Sequence, residues 1–226
     1  MRTPEQRAAQ ELSERFSKIE HRGTLGESFS RLKSGIDGLS QMAATRNPFD
    51  TPEGHRVKVG KQAQKLQQQL GKILETARGE HLRQSGSLSG QAVERLNLRP
   101  NRFESEIRQV LLRMPTHADR LQWLQEISKD VSNGPVLGAL LEAPAALHGI
   151  APDALRSIER DFIQNNAPDL IQKQSDLDQA LDIVTALHRT AERIASSHQD
   201  HAELQRIEQD AARAEAAAAE VQKALA

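Results

Sequence analysis

Beyond Pro168 the chain runs for 58 residues with neither glycine nor proline, and apolar residues recur at spacings of three and four throughout. Nothing in that stretch interrupts a helix, so it reads as one long helix or as two that share a break. At about 1.5 Å per residue it spans roughly 87 Å, more than the diameter of a domain of this size. Part of it is therefore expected to project or to pack on another chain.

Two registers can be written along it. Ala180, Val184, Leu187, Ala191 and Ile194 follow one alternation of fours and threes; Leu204, Ile207, Ala211, Ala214, Ala218, Val221 and Leu225 follow a second, displaced from the first. The phase slips near Ser196-Ser197-His198, which marks either a local change of supercoil or a bend. The first register has large side chains and is expected to pack on the central helices. The second, rich in alanine, suits close approach to another helix, and its seven residues are the candidate oligomer seam.

The rest of the chain carries the same helical period. Thr3-Pro4-Glu5-Gln6 reads as a helix start, with Ala8, Ala9, Leu12, Phe16 and Ile19 on one stripe. Phe29, Leu32, Ile36, Leu39 and Met42 form a second, although Gly35 and Gly38 weaken it by about 1 kcal/mol each relative to alanine. Turn chemistry predicts a loop over residues 47–54. His55 to Val59 alternates briefly and is read as extended chain or the entry to a helix; Leu66, Leu70, Ile73 and Ala77 then share a face. Ser85-Gly86-Ser87-Leu88-Ser89-Gly90 reads as a flexible turn or linker, and residues 92–98 as a short helix. Asn101 with Glu104 predicts the cap of a helix that buries Phe103, Ile107, Val110, Leu111 and Met114 and ends at Pro115. Thr116 with Asp119 caps the next, with Leu121, Trp123, Leu124, Ile127 and Val131. Residues 136–148 are apolar nearly all round and belong in the middle of a bundle or under a partner; Gly149 closes them, and Pro152 opens a further helix. The expected organisation is an N-terminal helical arm over residues 1–54 and a basic helical segment with its Ser/Gly linker over 55–100. A central core over 101–167 and the long helix over 168–226 complete it. The fold class is all-α: an irregular helical bundle with a long C-terminal coiled-coil-like helix.

Composition agrees, since only six aromatic residues are present (Trp123 and five Phe) and burial must rest on Leu, Ile, Val and Ala. The absence of cysteine removes disulfides, thiolate catalysis and cysteine-based zinc sites. The amphipathic start MRTPEQRAAQELSERF lacks the apolar centre of a signal peptide, and no window approaches 18 consecutive apolar residues, so no membrane span is expected. Charge is uneven: residues 1–100 hold 17 Lys and Arg against 11 Asp and Glu, and residues 101–226 hold 13 against 20. Halves of about +6 and −7 favour contact between copies or within one molecule.

Chemistry finds little purchase. Gly54 precedes Gly60-Lys61 by one residue too many for a phosphate loop, and Gln62 stands where Ser or Thr is required. Arg56, Lys58, Lys61, Lys65 and Lys72, with no acid between Gly54 and Leu74, make a basic patch that can bind phosphates. The lack of interleaved aromatic residues favours a solvated helix face over nucleic acid. His198 and His201 sit three apart, but a metal site needs further ligands from elsewhere; His188 with Glu192 reads as a surface pair. No serine lies in a nucleophile elbow. No catalytic residue, metal or cofactor is expected.

The run Asn133-Gly134-Pro135-Val136-Leu137-Gly138-Ala139-Leu140-Leu141-Glu142-Ala143-Pro144, continuing through Leu147-His148-Gly149-Ile150 and the charged helix to Phe162, resembles segments of uncharacterised helical proteins encoded among tailed-bacteriophage structural genes. The resemblance covers residues 133–162, about an eighth of the chain, and carries no active-site residues. It implies a virion or assembly protein. The expected function is accordingly non-enzymatic: a structural or assembly protein acting through helix-mediated oligomerisation, with further copies or other virion proteins as partners, in the virion or the host cytoplasm. The alternative is a cytoplasmic adaptor or effector that offers its basic segment to an acidic partner or nucleic acid.

Overall fold

The computed structural model describes residues 3–99, 104–199 and 201–225, apart from the side chains of residues 104, 108, 147, 201, 203, 204, 208, 211, 224 and 225. Among these residues 84% are helical and none lies in a strand, so the all-α class holds. The helices are α1 (Pro4–Ser17), α2 (Leu25–Ala44), α3 (Pro52–Arg95), α4 (Glu104–Leu112), α5 (His117–Ile127), α6 (Gly134–Glu142), α7 (Ala145–His148), α8 (Pro152–Asn166), α9 (Pro168–Ser197) and α10 (His201–Leu225), with a 3-10 turn at Val131–Asn133. No helix among the described residues is long and apolar enough to cross a membrane.

The chain divides into two compact units, one of residues up to His81 together with those from Gln179 onward, the other Leu82–Asp178. In the first, α1 opens on a reciprocal cap: the Thr3 hydroxyl accepts from the Gln6 N–H at 3.2 Å, and Gln6 Oε1 accepts from the Thr3 N–H at 3.0 Å. The Phe16 and Phe29 rings stack with centroids 4.1 Å apart, Arg22 lies over the Phe16 ring, and together they lock α1 on α2. Leu32, Ile36 and Leu39 of α2, Ala63, Leu66 and Leu70 of α3, and Val184, Leu187 and Ala191 of α9 are buried. The whole first register of the C-terminal stretch, from Ala180 to Ile194, is buried as its spacing predicts, but in the unit that holds α1 and α2 and not on the central helices as expected.

The second unit is built around Phe162, which is fully buried with Leu111, Leu124, Leu137, Leu140, Leu155 and Leu170. α3 ends in a motif that satisfies its last carbonyls: Asn97 takes φ of +51°, its N–H reaches Glu94 O, and the Leu98 N–H reaches Val93 O at 2.9 Å. α6 lies hard against that turn. A Cβ on Gly134 would stand 1.8 Å from Leu96 O, and one on Gly138 2.6 Å from Leu98 C. Thr116 and Asp119 form the expected reciprocal cap of α5, both backbone bonds being 3.1 Å.

Several sequence expectations are corrected. The loop before α3 is shorter than residues 47–54, because Pro52 takes the first position of the helix and Thr51 Oγ1 accepts from the Gly54 N–H at 3.0 Å. The predicted Ser/Gly linker over residues 85–90 is helical, and α3 runs unbroken through it, so residues 55–59 and 92–95 belong to one helix. Leu88 packs on the Phe162 core and Ser85 Oγ accepts from Gln174 Nε2 at 3.0 Å, which secures this stretch despite its glycines. The apolar run 136–148 is broken at Ala143-Pro144, since proline excludes the helical conformation from the residue before it. α5 stops at Ile127, leaving Val131 48% exposed, and Val110 of α4 is 44% exposed rather than buried. The cap at Asn101 and the packing of Phe103 lie outside the described residues. The phase slip is a break: α9 ends at Ser197 and α10 begins at His201.

Candidate functional site

Two surfaces of the first unit gather the residues singled out in the sequence. On α3, at about 100° per residue, Lys58, Lys61, Lys65 and Lys72 fall within an arc of roughly 60°, and Arg56 lies on the opposite side. Their roles then separate. Lys58 Nζ is held by Asp50 Oδ1 at 2.6 Å, and Arg56 and Lys61 are engaged in further contacts. Lys65 and Lys72 are exposed and line a groove of about 700 Å³ between α2 and α3. Leu39, Leu66 and Ile73 contribute apolar walls, while Ser34, Gln62 and Gln69 add hydrogen-bonding groups. Arg31 of α2 brings a third cation, with Glu27 Oε2 at 3.8 Å from it in an exposed pair. Such a pair holds little of the charge back.

Sequence reasoning missed Arg31 because it lies on another helix. The available signal was Gly35, which the pattern marked only as a weakness. A Cβ there would stand 2.7 Å from Leu66 Cδ1, so the missing side chain is what lets Leu66 of α3 come this close to α2. A smaller hollow of about 470 Å³ between α1 and α2 differs in charge, since its Lys33 is neutralised by Asp37 at 2.5 Å.

The second surface is α10. Ala214, Ala218 and Val221 of the predicted seam are exposed, Val221 to 59%, and Ile207 is partly covered. The side chains of Leu204, Ala211 and Leu225 lie outside the described residues. From residue 212 to residue 223 every position is exposed, on all faces of the helix.

The titrating groups with displaced acidities lie in the second unit. Burial pushes the Glu159 carboxyl up, against a smaller opposing pull from Arg156. At Asp169 burial also pushes up, but the hydrogen bond and charge of Arg95, with Lys173, outweigh it and the carboxyl titrates below its usual range. Asp130 is lowered by the Ser132 backbone N–H that it accepts at 2.9 Å. Asp130 and Asp169 thus owe their shifts to a turn cap and an ion pair. Of the histidines, His188 has Nδ1 3.6 Å from Glu192 Oε2 as its spacing predicts, but it is buried rather than on the surface, and its Nε2 has no hydrogen-bond partner among the described residues. The His198–His201 pair cannot be placed, as the His201 side chain lies outside the description; no group of three metal-binding side chains occurs among the described residues. No protein-family model, curated protein or solved structure matches the chain.

Proposed function

We propose that the protein is a non-enzymatic helical assembly component that joins other copies or other virion proteins through α10. One observation carries this reading: residues 212–223 of α10 are exposed on every face. A lone helix of this length is marginal in water, and a seam of threes and fours along it gains stability when a partner covers it. The likeness of the central run to proteins of phage structural gene clusters agrees with a role in the virion or its assembly.

The test replaces Ala214→Glu, Ala218→Glu and Val221→Glu together. Three carboxylates in a small contact cost on the order of a few kcal/mol, more than such a contact withstands. Light scattering should show a smaller particle, with the remaining helices intact by circular dichroism. Unchanged assembly with a large fall in melting temperature would mean instead that α10 folds back on its own chain.

The gathering of Arg31, Lys65 and Lys72 on one groove favours a second reading, an adaptor or effector that binds an acidic partner or nucleic acid there. Nucleic acid that copurifies with the wild type and is lost on Lys65→Gln with Lys72→Gln would favour it over the first.

A further inference from the structure

We propose that the basic groove between α2 and α3 receives α10 of a second copy, so that copies join head to tail; this rests on the assembly reading above. The charges that flank the α10 seam select this partner. With Leu204, Ala211, Ala218 and Leu225 at one core position of the heptad and Ile207, Ala214 and Val221 at the other, the flanking positions of the first two heptads are Glu203, Glu208, Asp210 and Glu215. All four are acidic. Pairing α10 with α10 in parallel sets acid against acid, and in the antiparallel arrangement most of these acids meet Ala217, Gln222 and Ala224 and gain no opposite charge, so its own twin is the poorer partner.

The groove offers the complement. Lys65 and Lys72 are exposed on its rim without an ion pair among the described residues, Arg31 faces them from α2, and Leu66 and Ile73 line it between. Its α3 side, from Gln62 to Ile73, covers about 17 Å, or three turns. That is the length of α10 between Ile207 and Ala218, where the seam is mostly alanine and a helix can approach closely. Arg206 and Arg213 fall on the outer side of α10 in this register; Arg213 shares Asp210 at 3.6 Å, an exposed pair that leaves Asp210 able to turn to a lysine. A groove and a helix at different places on one chain make a heterologous contact, which builds a closed ring, a reciprocal pair being the smallest, or an open filament.

The experiment uses two full-length variants, nuclease-treated and sized by light scattering: Lys65→Glu with Lys72→Glu, and Asp210→Lys with Glu215→Lys. All four positions are exposed, and circular dichroism verifies that both variants fold. Each alone sets like charge against like and should be monomeric; mixed one to one, each groove again meets an α10 of opposite sign, and wild-type size should return. Wild-type assembly retained in Lys65→Glu with Lys72→Glu overturns the groove while leaving α10-mediated assembly standing. A mixture that stays monomeric, or wild-type assembly that vanishes with nuclease, overturns the groove as well. A wild type that is monomeric at every concentration sinks the assembly reading and this inference together.

Discussion

At Gly138 the backbone of α6 approaches the turn after α3 so closely that a single methyl group has nowhere to go. Its Cβ would meet Leu98 C at 2.6 Å and Leu98 O at 2.7 Å, and both are backbone atoms fixed by the bond from the Leu98 N–H to Val93 O. A side chain can swing aside; this turn cannot without giving up the end of α3. Gly138→Ala should therefore destabilise the second unit by about 1–3 kcal/mol, the usual cost of overpacking. Gly38→Ala in α2 is the matched control, because nothing lies within 4 Å of its Cβ. There the helix preference of alanine should show as a gain of about 0.5–1 kcal/mol. Thermal melting of the two variants decides it: equal shifts of the same sign would mean that α6 does not pack on the turn as described.

The same distinction applies to a whole element in α3, where composition and packing disagree. Residues 85–90 have the make-up of a linker, yet they are helical, with Leu88 against the Phe162 core and Ser85 bonded to Gln174. Gly86 and Gly90 have open space where a Cβ would stand. Alanine at both should stabilise the protein by about 0.5–1 kcal/mol per site, since it removes backbone freedom from the unfolded chain and suits the helix. No change in denaturant midpoint would argue that this stretch is not helical in solution. The disagreement also explains what was legible. Caps are local chemistry, so Thr3 with Gln6 and Thr116 with Asp119 could be read from four residues each, and the buried face of α9 from its period alone. Residues 85–90 are held by Gln174, 89 positions from its partner Ser85 in the chain, which no local pattern contains. The break at Ala143-Pro144 was there to be read, and the apolar run around it concealed it. The basic groove was half legible: α3 supplies its lysines in sequence, while Arg31 and the opening at Gly35 come from α2.

Across the whole molecule the charge is divided, and the division has a consequence for assembly that separates the two ways in which α10 can be covered. Residues 1–100 carry 17 cationic against 11 anionic side chains and residues 101–226 carry 13 against 20. The groove belongs to the first set and α10 to the second. If α10 enters the groove of another copy, attraction between opposite signs helps bring and hold the two, and salt weakens it. The screening length falls from about 10 Å at 0.1 M salt to about 3 Å at 1 M, and Lys65, Lys72, Asp210 and Glu215 are exposed and feel that change fully. If α10 instead pairs with α10 in parallel, the flanking acids repel each other, and the same salt relieves the repulsion while leaving the apolar seam in place. The two contacts thus respond to salt with opposite sign. Raising sodium chloride from about 0.05 M to about 1 M should shift the protein toward smaller particles at fixed concentration, as sedimentation velocity would record, with helix content unchanged. Growth of the particle with salt would instead identify a symmetric α10 pair, and the basic groove would then have to be assigned to some other acidic partner.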